Sequence, residues 1–238
     1  MKKRALRKDF YMEIRKSLGR FLSIFFIVAM GVAFFSGIRA SEPDLRYSGD
    51  AYFDRNHLMD LKVMGTLGLT ENDVQAIRSL EGVAQAEPGY SADVMVERDG
   101  NQKVLHVSSI LDSMNQYTVE EGRMPKKDGE CLIDQDFIQG SDLKVGDEIT
   151  LISGTKDPVT DTFTKETFRI VGAGSSPEYI SFHRGSSMIG NGEVSGFLAV
   201  PKESFVTEAY TECYVSVEGA EEETAFTEEY DQKVEKVA

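Results

Sequence analysis

Three histidines, two cysteines and a few paired carboxylates are the side chains here with chemistry to offer. His57, His106 and His183 share no ligand spacing such as His-x-x-x-His, so no metal site is expected. They read as surface or hydrogen-bonded histidines. Cys131 and Cys213 fall in separate strand-like stretches. A disulfide between them needs Cα atoms within about 7 Å, which the sequence does not show; two buried thiols are the preferred reading. Asp157 and Asp161 flank a loop where Ca²⁺ would find loose oxygen ligands. They lack the dense alternation of an EF-hand and read as solvated turn residues. Glu221-Glu222-Glu223 reads as a solvated helix face. No Ser-His-Asp or Cys-His signature is recognisable, and the Gly-x-x-x-x-Gly-Lys-[Ser/Thr] phosphate loop is absent. No catalytic residue, cofactor, metal or ATP site is therefore expected, and the chain does not read as an enzyme.

The elements around these residues are set by an uneven charge. The 238 residues carry 26 Lys+Arg and 40 Asp+Glu, a formal net charge of −14 that argues against a nucleic-acid partner. Residues 1–20 hold eight basic residues (Lys2, Lys3, Arg4, Arg7, Lys8, Arg15, Lys16 and Arg20) against Asp9 and Glu13, net +6. Residues 21–38 hold no charge, and 39–238 hold 18 basic and 38 acidic residues, net −20. Positive, neutral, negative is the pattern of a chain that crosses a bilayer.

The neutral stretch, Phe21 to Ile38, has 14 apolar residues in 18. As a helix it spans roughly 27 Å, close to the hydrocarbon thickness. A cleaved signal peptide is the alternative. Its apolar core would be about 7–15 residues with a small-x-small site, and Ile38-Arg39-Ala40 is a poor one, so an anchor is favoured. The basic flank places the N-terminus in the cytoplasm and residues 39–238 outside it. Ala29, Ala33 and Gly37 recur every four residues, a small-residue ridge that permits close approach of another membrane helix, though Ala and Gly are common in such helices by chance. Leu6, Phe10, Ile14 and Leu18 form an apolar stripe among the basic residues, suited to lying on the inner leaflet.

Beyond the membrane segment, Ser41 to His57 reads as a continuation of the helix and then a connector. Leu58 to Leu67 has strand character. Thr70 and Asp73 have N-cap and capping-box spacing, Leu69 and Val74 staple spacing, and Val74, Ile77 and Leu80 give one apolar face up to Gly82. Val83–Val96 and Lys103–Ile110 read as extended chain, with a turn at Asp99-Gly100-Asn101. Val145-Gly146-Asp147 is a tight turn feeding a strand that pairs with Thr162–Val171. Gly172 to Gly196, rich in Gly and Ser, reads as a long surface loop, followed by short strands at 197–200 and 212–217. The order predicts an α+β class: a mixed α/β extracytoplasmic domain preceded by one transmembrane helix.

Three stretches carry a family resemblance. One is Arg20-Phe21-Leu22-Ser23-Ile24 with Gly31-Val32-Ala33-Phe34-Phe35. The second is Gly122-Arg123-x-Pro125, Gly129-Glu130 and Leu143-x-Val145-Gly146-Asp147, in that order. The third is Phe168-Arg169-Ile170-Val171-Gly172 followed by Ser176-Pro177-Glu178-Tyr179-Ile180. With these the chain resembles the N-terminal part of an FtsX-like ABC transporter permease with a MacB-type periplasmic core domain. The resemblance implies a basic cytoplasmic segment over 1–20, a membrane helix over 21–38 and a core domain over 39–217. Residues 218–238 would be the start of an acidic helix that continues in a longer protein. It also implies a dimeric permease driven by a separate cytoplasmic ATPase. The expected partners are that ATPase, other permease helices or a second permease copy, and the lipid bilayer. Such permeases have at least four membrane helices, and this chain has one apolar run, so a fragment or a truncated product is expected.

The leading functional expectation is thus a membrane permease component whose extracytoplasmic domain couples substrate or partner binding to the ATPase. The alternative is a single-pass, membrane-anchored binding or sensor module without transport. Topology is testable with Cys131 and Cys213 replaced by serine. A Ser41→Cys chain should react with an impermeant thiol reagent in intact cells, and an Ala5→Cys chain should not. The reverse pattern would overturn the orientation.

Overall fold

An uncharged apolar window can only persist as a helix in lipid, where every N–H and C=O must be satisfied within the segment. That window lies in α1, Leu18–Arg55, in a computed structural model that describes residues 8–12, 15–98, 100–181 and 183–238. Among the described residues α1 is the one helix long and apolar enough to cross a membrane. Ile27, Met30 and Phe34 expose their side chains, as lipid-facing groups would. The helix outlasts the apolar window and contains Pro43, which has no N–H to give the carbonyl four residues earlier. Residues 41–55 are therefore helix, not connector.

The chain divides into two compact units, Met1–Gly49 and Asp50–Ala238. After the last turn of α1, the second unit runs β1 (Leu61–Leu69), α2 (Glu71–Arg78), β2 (Val83–Gly89), β3 (Ser91–Arg98), β4 (Asn101–Ser109), β5 (Thr118–Gly122) and β6 (Glu130–Asp134). It continues with α3 (Gln135–Gln139), β7 (Glu148–Thr150), β8 (Thr167–Ser175), β9 (Val194–Val200), β10 (Tyr210–Val217) and α4 (Glu228–Glu235). A small antiparallel sheet has the order β1-β10-β2. A seven-stranded mixed sheet has the order β3-β4-β9-β6-β8-β5, with β7 paired to β8. In it, β4 with β9 and β6 with β8 run parallel. The mixed α/β class expected from the sequence is the one observed.

Local chemistry starts α2. Thr70 N donates to Asp73 Oδ2 at 2.8 Å and Asp73 N donates to Thr70 Oγ1 at 3.3 Å, the reciprocal capping box. Leu69 and Val74 are both buried in the cluster that α2 forms with the small sheet, as the staple requires. The helix stops at Arg78, however, one turn short of Gly82, so Leu80 is exposed and is not part of the apolar face. Gly82 instead makes the turn into β2 with φ +90°.

The two cores are separate. Val94, Leu105, Cys131, Phe168, Ile170 and Leu198 belong to the large-sheet core, and Cys213 and Val215 to the small-sheet core. Cys131 and Cys213 are buried free thiols, one in each.

The expected surface loop from Gly172 to Gly196 is shorter than its composition implied. Gly172–Ser175 completes β8 and Val194–Gly196 begins β9, leaving 176–193 as the loop. The glycines are there for close approach. A Cβ on Gly172 would lie 2.4 Å from Arg123 O, and one on Gly174 would lie 2.3 Å from Thr118 O. The tail also differs from a free solvated helix. Ala220–Glu222 is a 3₁₀ turn, not a helix face, and Glu223 pairs with Lys233 at 2.7 Å. α4 is capped by Thr227, and Val237 packs against the small-sheet core. The Gly174→Ala chain should be destabilised by about 1–3 kcal/mol, because the added methyl meets rigid backbone. Denaturation midpoints of the two chains in detergent would show it, and an equal midpoint would refute the close-approach account.

Candidate functional site

The last turn of α1 is where the second unit begins, and its main chain is fastened there. His57 has φ +49°, a left-handed residue at the position that usually holds glycine. His57 N donates to Asp54 O at 3.1 Å and Leu58 N donates to Phe53 O at 3.1 Å. Together these are the paired bonds of a Schellman ending. The freed carbonyls after the helix are taken by the chain before β5: Gln116 N donates to Asn56 O and Asn115 N donates to His57 O, both at 2.8 Å. Asn56 is buried. Its Nδ2 donates to Tyr52 O at 2.7 Å, and its Oδ1 accepts from Thr118 Oγ1 at 3.1 Å. Asn115, also left-handed and buried, accepts Met59 N on Oδ1 at 2.9 Å.

A second set of contacts ties the same stretch to the small sheet and the tail. Asp60 Oδ2 accepts Val217 N at 2.7 Å and its Oδ1 accepts the Tyr230 hydroxyl at 2.6 Å. Burial first, and then the Asp60 carboxylate, push the Tyr230 hydroxyl well above its usual range. Asp50 Oδ1 accepts Ala225 N at 2.6 Å, and the Phe53 and Phe226 rings meet edge to face at 5.9 Å. Between these parts lies a cavity of about 580 Å³, lined by Phe53, Met59 and Met114 together with Asp54, Glu221 and Glu223. The helix end is thus bonded to the segment entering the large sheet and, through Asp60, to the small sheet.

The motif that carried the resemblance converges elsewhere and is structural. Gly122, at φ +77°, turns β5 so that Arg123 N donates to Val171 O at 3.0 Å. The Arg123 guanidinium then grips both oxygens of buried Glu130, at 2.7 and 2.8 Å, and Lys126 N donates to the same carboxylate at 3.0 Å. Gly146, at φ +109°, donates N–H to Ile170 O at 2.8 Å, and Lys144 N donates to Asp147 Oδ2 at 2.9 Å. Gly-Arg-x-Pro, Gly-Glu and Val-Gly-Asp are therefore one lock around β8. The Arg123 hydrogen bonds hold the Glu130 carboxyl down at about 2.

The other candidate residues are dispersed. His106 Nδ1 lies 2.6 Å from Asp93 Oδ1, while His57 and His183 are exposed. Among the described residues no group of three His, Cys, Asp or Glu could hold a metal. Asp157 N donates to Thr155 Oγ1 at 3.2 Å, a turn contact, and Asp161 sits in the 3₁₀ turn Val159–Asp161. Phe21 and Ile38 lie within α1 with exposed side chains. Ala29, Ala33 and Gly37 lie on α1, and a Cβ on Gly37 would meet nothing within 4 Å. Lys8, Arg15, Lys16 and Arg20 are exposed. Lys2, Lys3, Arg4 and Arg7 lie outside the described residues, as do Leu6, Ile14 and Asp99. Sequence reasoning missed Asn56, Asn115 and Asp60. For Asn56 and Asp60 the one local signal was a polar side chain among aromatic and apolar neighbours after a helical stretch; Asn115, in the chain before β5, had none.

This fold and helix ending fit a domain set on a membrane helix, and the comparisons give its class. Residues 18–233 match the model of the MacB-like periplasmic core domain, and the chain belongs to that family. Among solved structures it is similar to the extracellular domain of the noncanonic ABC-type transporter YknZ from Gram-positive bacteria. That match has 13% identity over 65% of this chain and 75% of that one, with TM-score 0.40. It is also similar to the periplasmic region of MacB from Actinobacillus actinomycetemcomitans, with 11% identity over 72% of this chain and 71% of that one and TM-score 0.38. No curated protein matches the sequence.

The lock has a pH signature. Glu130 falls from the ordinary 4.5 to about 2 on folding. A group depressed in the folded state contributes its stability above the unfolded value and loses it as pH drops through the folded one. The chain should therefore weaken as pH falls from about 4.5 toward about 2, and Glu130→Gln should remove that part of the slope. Denaturation midpoints against pH for both chains test this; parallel curves would refute it.

Proposed function

We propose that this chain is the N-terminal part of an ABC transporter permease subunit, with its extracytoplasmic domain coupled through α1 to a separate cytoplasmic ATPase. One observation carries the reading. A single helix contains both the apolar window and a last turn whose carbonyls, Asn56 side chain and adjoining Asp60 are bonded to both sheets. An anchor that only tethers a domain gains nothing from such fastening. A helix that must pass displacement along its axis does, since slack at its end would dissipate the motion. Membership of the MacB-like periplasmic core domain family supports the same reading.

In this reading residues 1–20 face the cytoplasm, and the Ala29–Ala33–Gly37 ridge meets other permease helices or a second copy. ATP is hydrolysed on the partner subunit, and a polar substrate passes among several membrane helices, because one helix alone would strand its polar groups in hydrocarbon. The test is purification of the natural permease from its own membranes. An ATPase should accompany it. Asn56→Ala should keep that association while lowering the ATPase response to extracytoplasmic ligand about tenfold, a loss of roughly 1.4 kcal/mol of coupling. A permease that works with no ATPase would instead support an anchored binding module.

A further inference from the structure

Alternation along the small sheet gives it two unlike faces. Leu61, Val63, Cys213 and Val215 point to the α2 side, and Lys62, Glu87, Glu212 and Tyr214 to the other. The charged face of an antiparallel sheet ordinarily meets water. Here Glu87, Glu212 and Tyr214 are only 8%, 5% and 1% exposed. What covers them is the large-sheet body, and it does so through polar contacts. Lys62 Nζ, from β1, lies 3.0 Å from Glu178 Oε2 in the 176–193 loop and 3.3 Å from Glu212 Oε2. Lys202 Nζ, just after β9, lies 3.0 Å from Glu87 Oε1 on β2. Each body thus extends one lysine to a glutamate of the other. Ser91, which opens β3, adds Oγ to Glu212 Oε1 at 2.8 Å and N to Thr211 Oγ1 at 2.6 Å. The apolar part of the contact includes a cluster of Leu111, Met114 and Tyr214 with Met59, and the rings of Tyr90, on the large-sheet core, and Tyr210, on the small-sheet core, 5.3 Å apart. Between β2 and β3 the chain crosses from one body to the other through Tyr90 alone.

We propose that the small sheet with α2 is a hinged flap on the large-sheet body, pivoting at Tyr90 and held shut by two reciprocal latches, Lys62–Glu178 and Lys202–Glu87. Parting the two bodies hands these charged groups to water, which satisfies them. Polar interfaces of this kind within one chain move as a rule. The burial that would otherwise lower the Lys62 pKa is outweighed by Glu178 and Glu212, which keep the ammonium charged. The flap stands apart from the transport reading, since it needs no ATPase.

Spin labels at Asn72→Cys on α2 and Lys144→Cys on the large-sheet body, in the full chain in detergent, would report the separation. Both native cysteines are buried, and a label-free control chain checks that they stay silent. The closed distance should dominate the otherwise unaltered chain. Lys202→Met should raise a longer-distance population about tenfold from a minor level, and Lys62→Met should do the same. Glu87 also accepts Asp112 N and both the N–H and the hydroxyl of Ser113, so Glu87→Gln should open the flap at least as far as Lys202→Met, and Lys202→Met added to it should open it no further. Unchanged distances in the lysine variants, with folding intact by circular dichroism, would overturn the flap. Additive opening by Glu87→Gln and Lys202→Met would overturn the latch. If Lys62→Met fails to fold, the Lys202–Glu87 set decides alone, since Lys202 is a third exposed and its loss is milder.

Discussion

A helix leaves its final carbonyls without partners, and the entry to the second unit is built around how α1 meets that demand. Its ending uses no glycine. His57 takes the left-handed conformation, which costs about 1–2 kcal/mol for a residue with a side chain. The surroundings hold it there: Asn115 N on the His57 carbonyl, Gln116 N on the Asn56 carbonyl, and the Asn56 side chain between Tyr52 and Thr118. Strain of this kind persists only where neighbours over-determine it. The segment that supplies those neighbours leads straight into β5, so the helix end and the large sheet share one set of bonds.

The same economy of main-chain contacts explains the shared motif. Arg123 cannot reach Glu130 unless β5 lies tight against β8, and β5 lies tight because Gly172 and Gly174 have no side chains. The bidentate pair then neutralises a carboxylate that burial would otherwise penalise. A family motif without catalytic chemistry is in this case a description of strand spacing.

Features with local causes were legible in the sequence. The apolar window, the Thr70–Asp73 box and the Val145-Gly146-Asp147 turn each depend on neighbours a few residues away, and each is present. Features with distant causes were not. Gly172 and Gly174 have the composition of a loop, and only the position of Thr118 and Arg123 makes them strand residues. Pro43 and the polar run after Ile38 obscured the length of α1, because no glycine marks where it stops. Asp60 became visible as a site residue only when Val217 and Tyr230, more than 150 positions away, were brought to it.

The small sheet sets its first strand beside its last, with Leu61 opposite Val215. The start of β1 and the finish of β10 are therefore at the same end of one antiparallel ladder. Tension between those two ends would not shear the ladder as a block; it would unzip it, one rung after another. The first fastening to feel that tension is the Asp60 carboxylate, which sits at the mouth of the zipper and holds Val217 and Tyr230 together. The Asp60 side chain is thus the first rung of the β1–β10 seam to take load, with its own N–H on Val215 O at 2.9 Å next behind it.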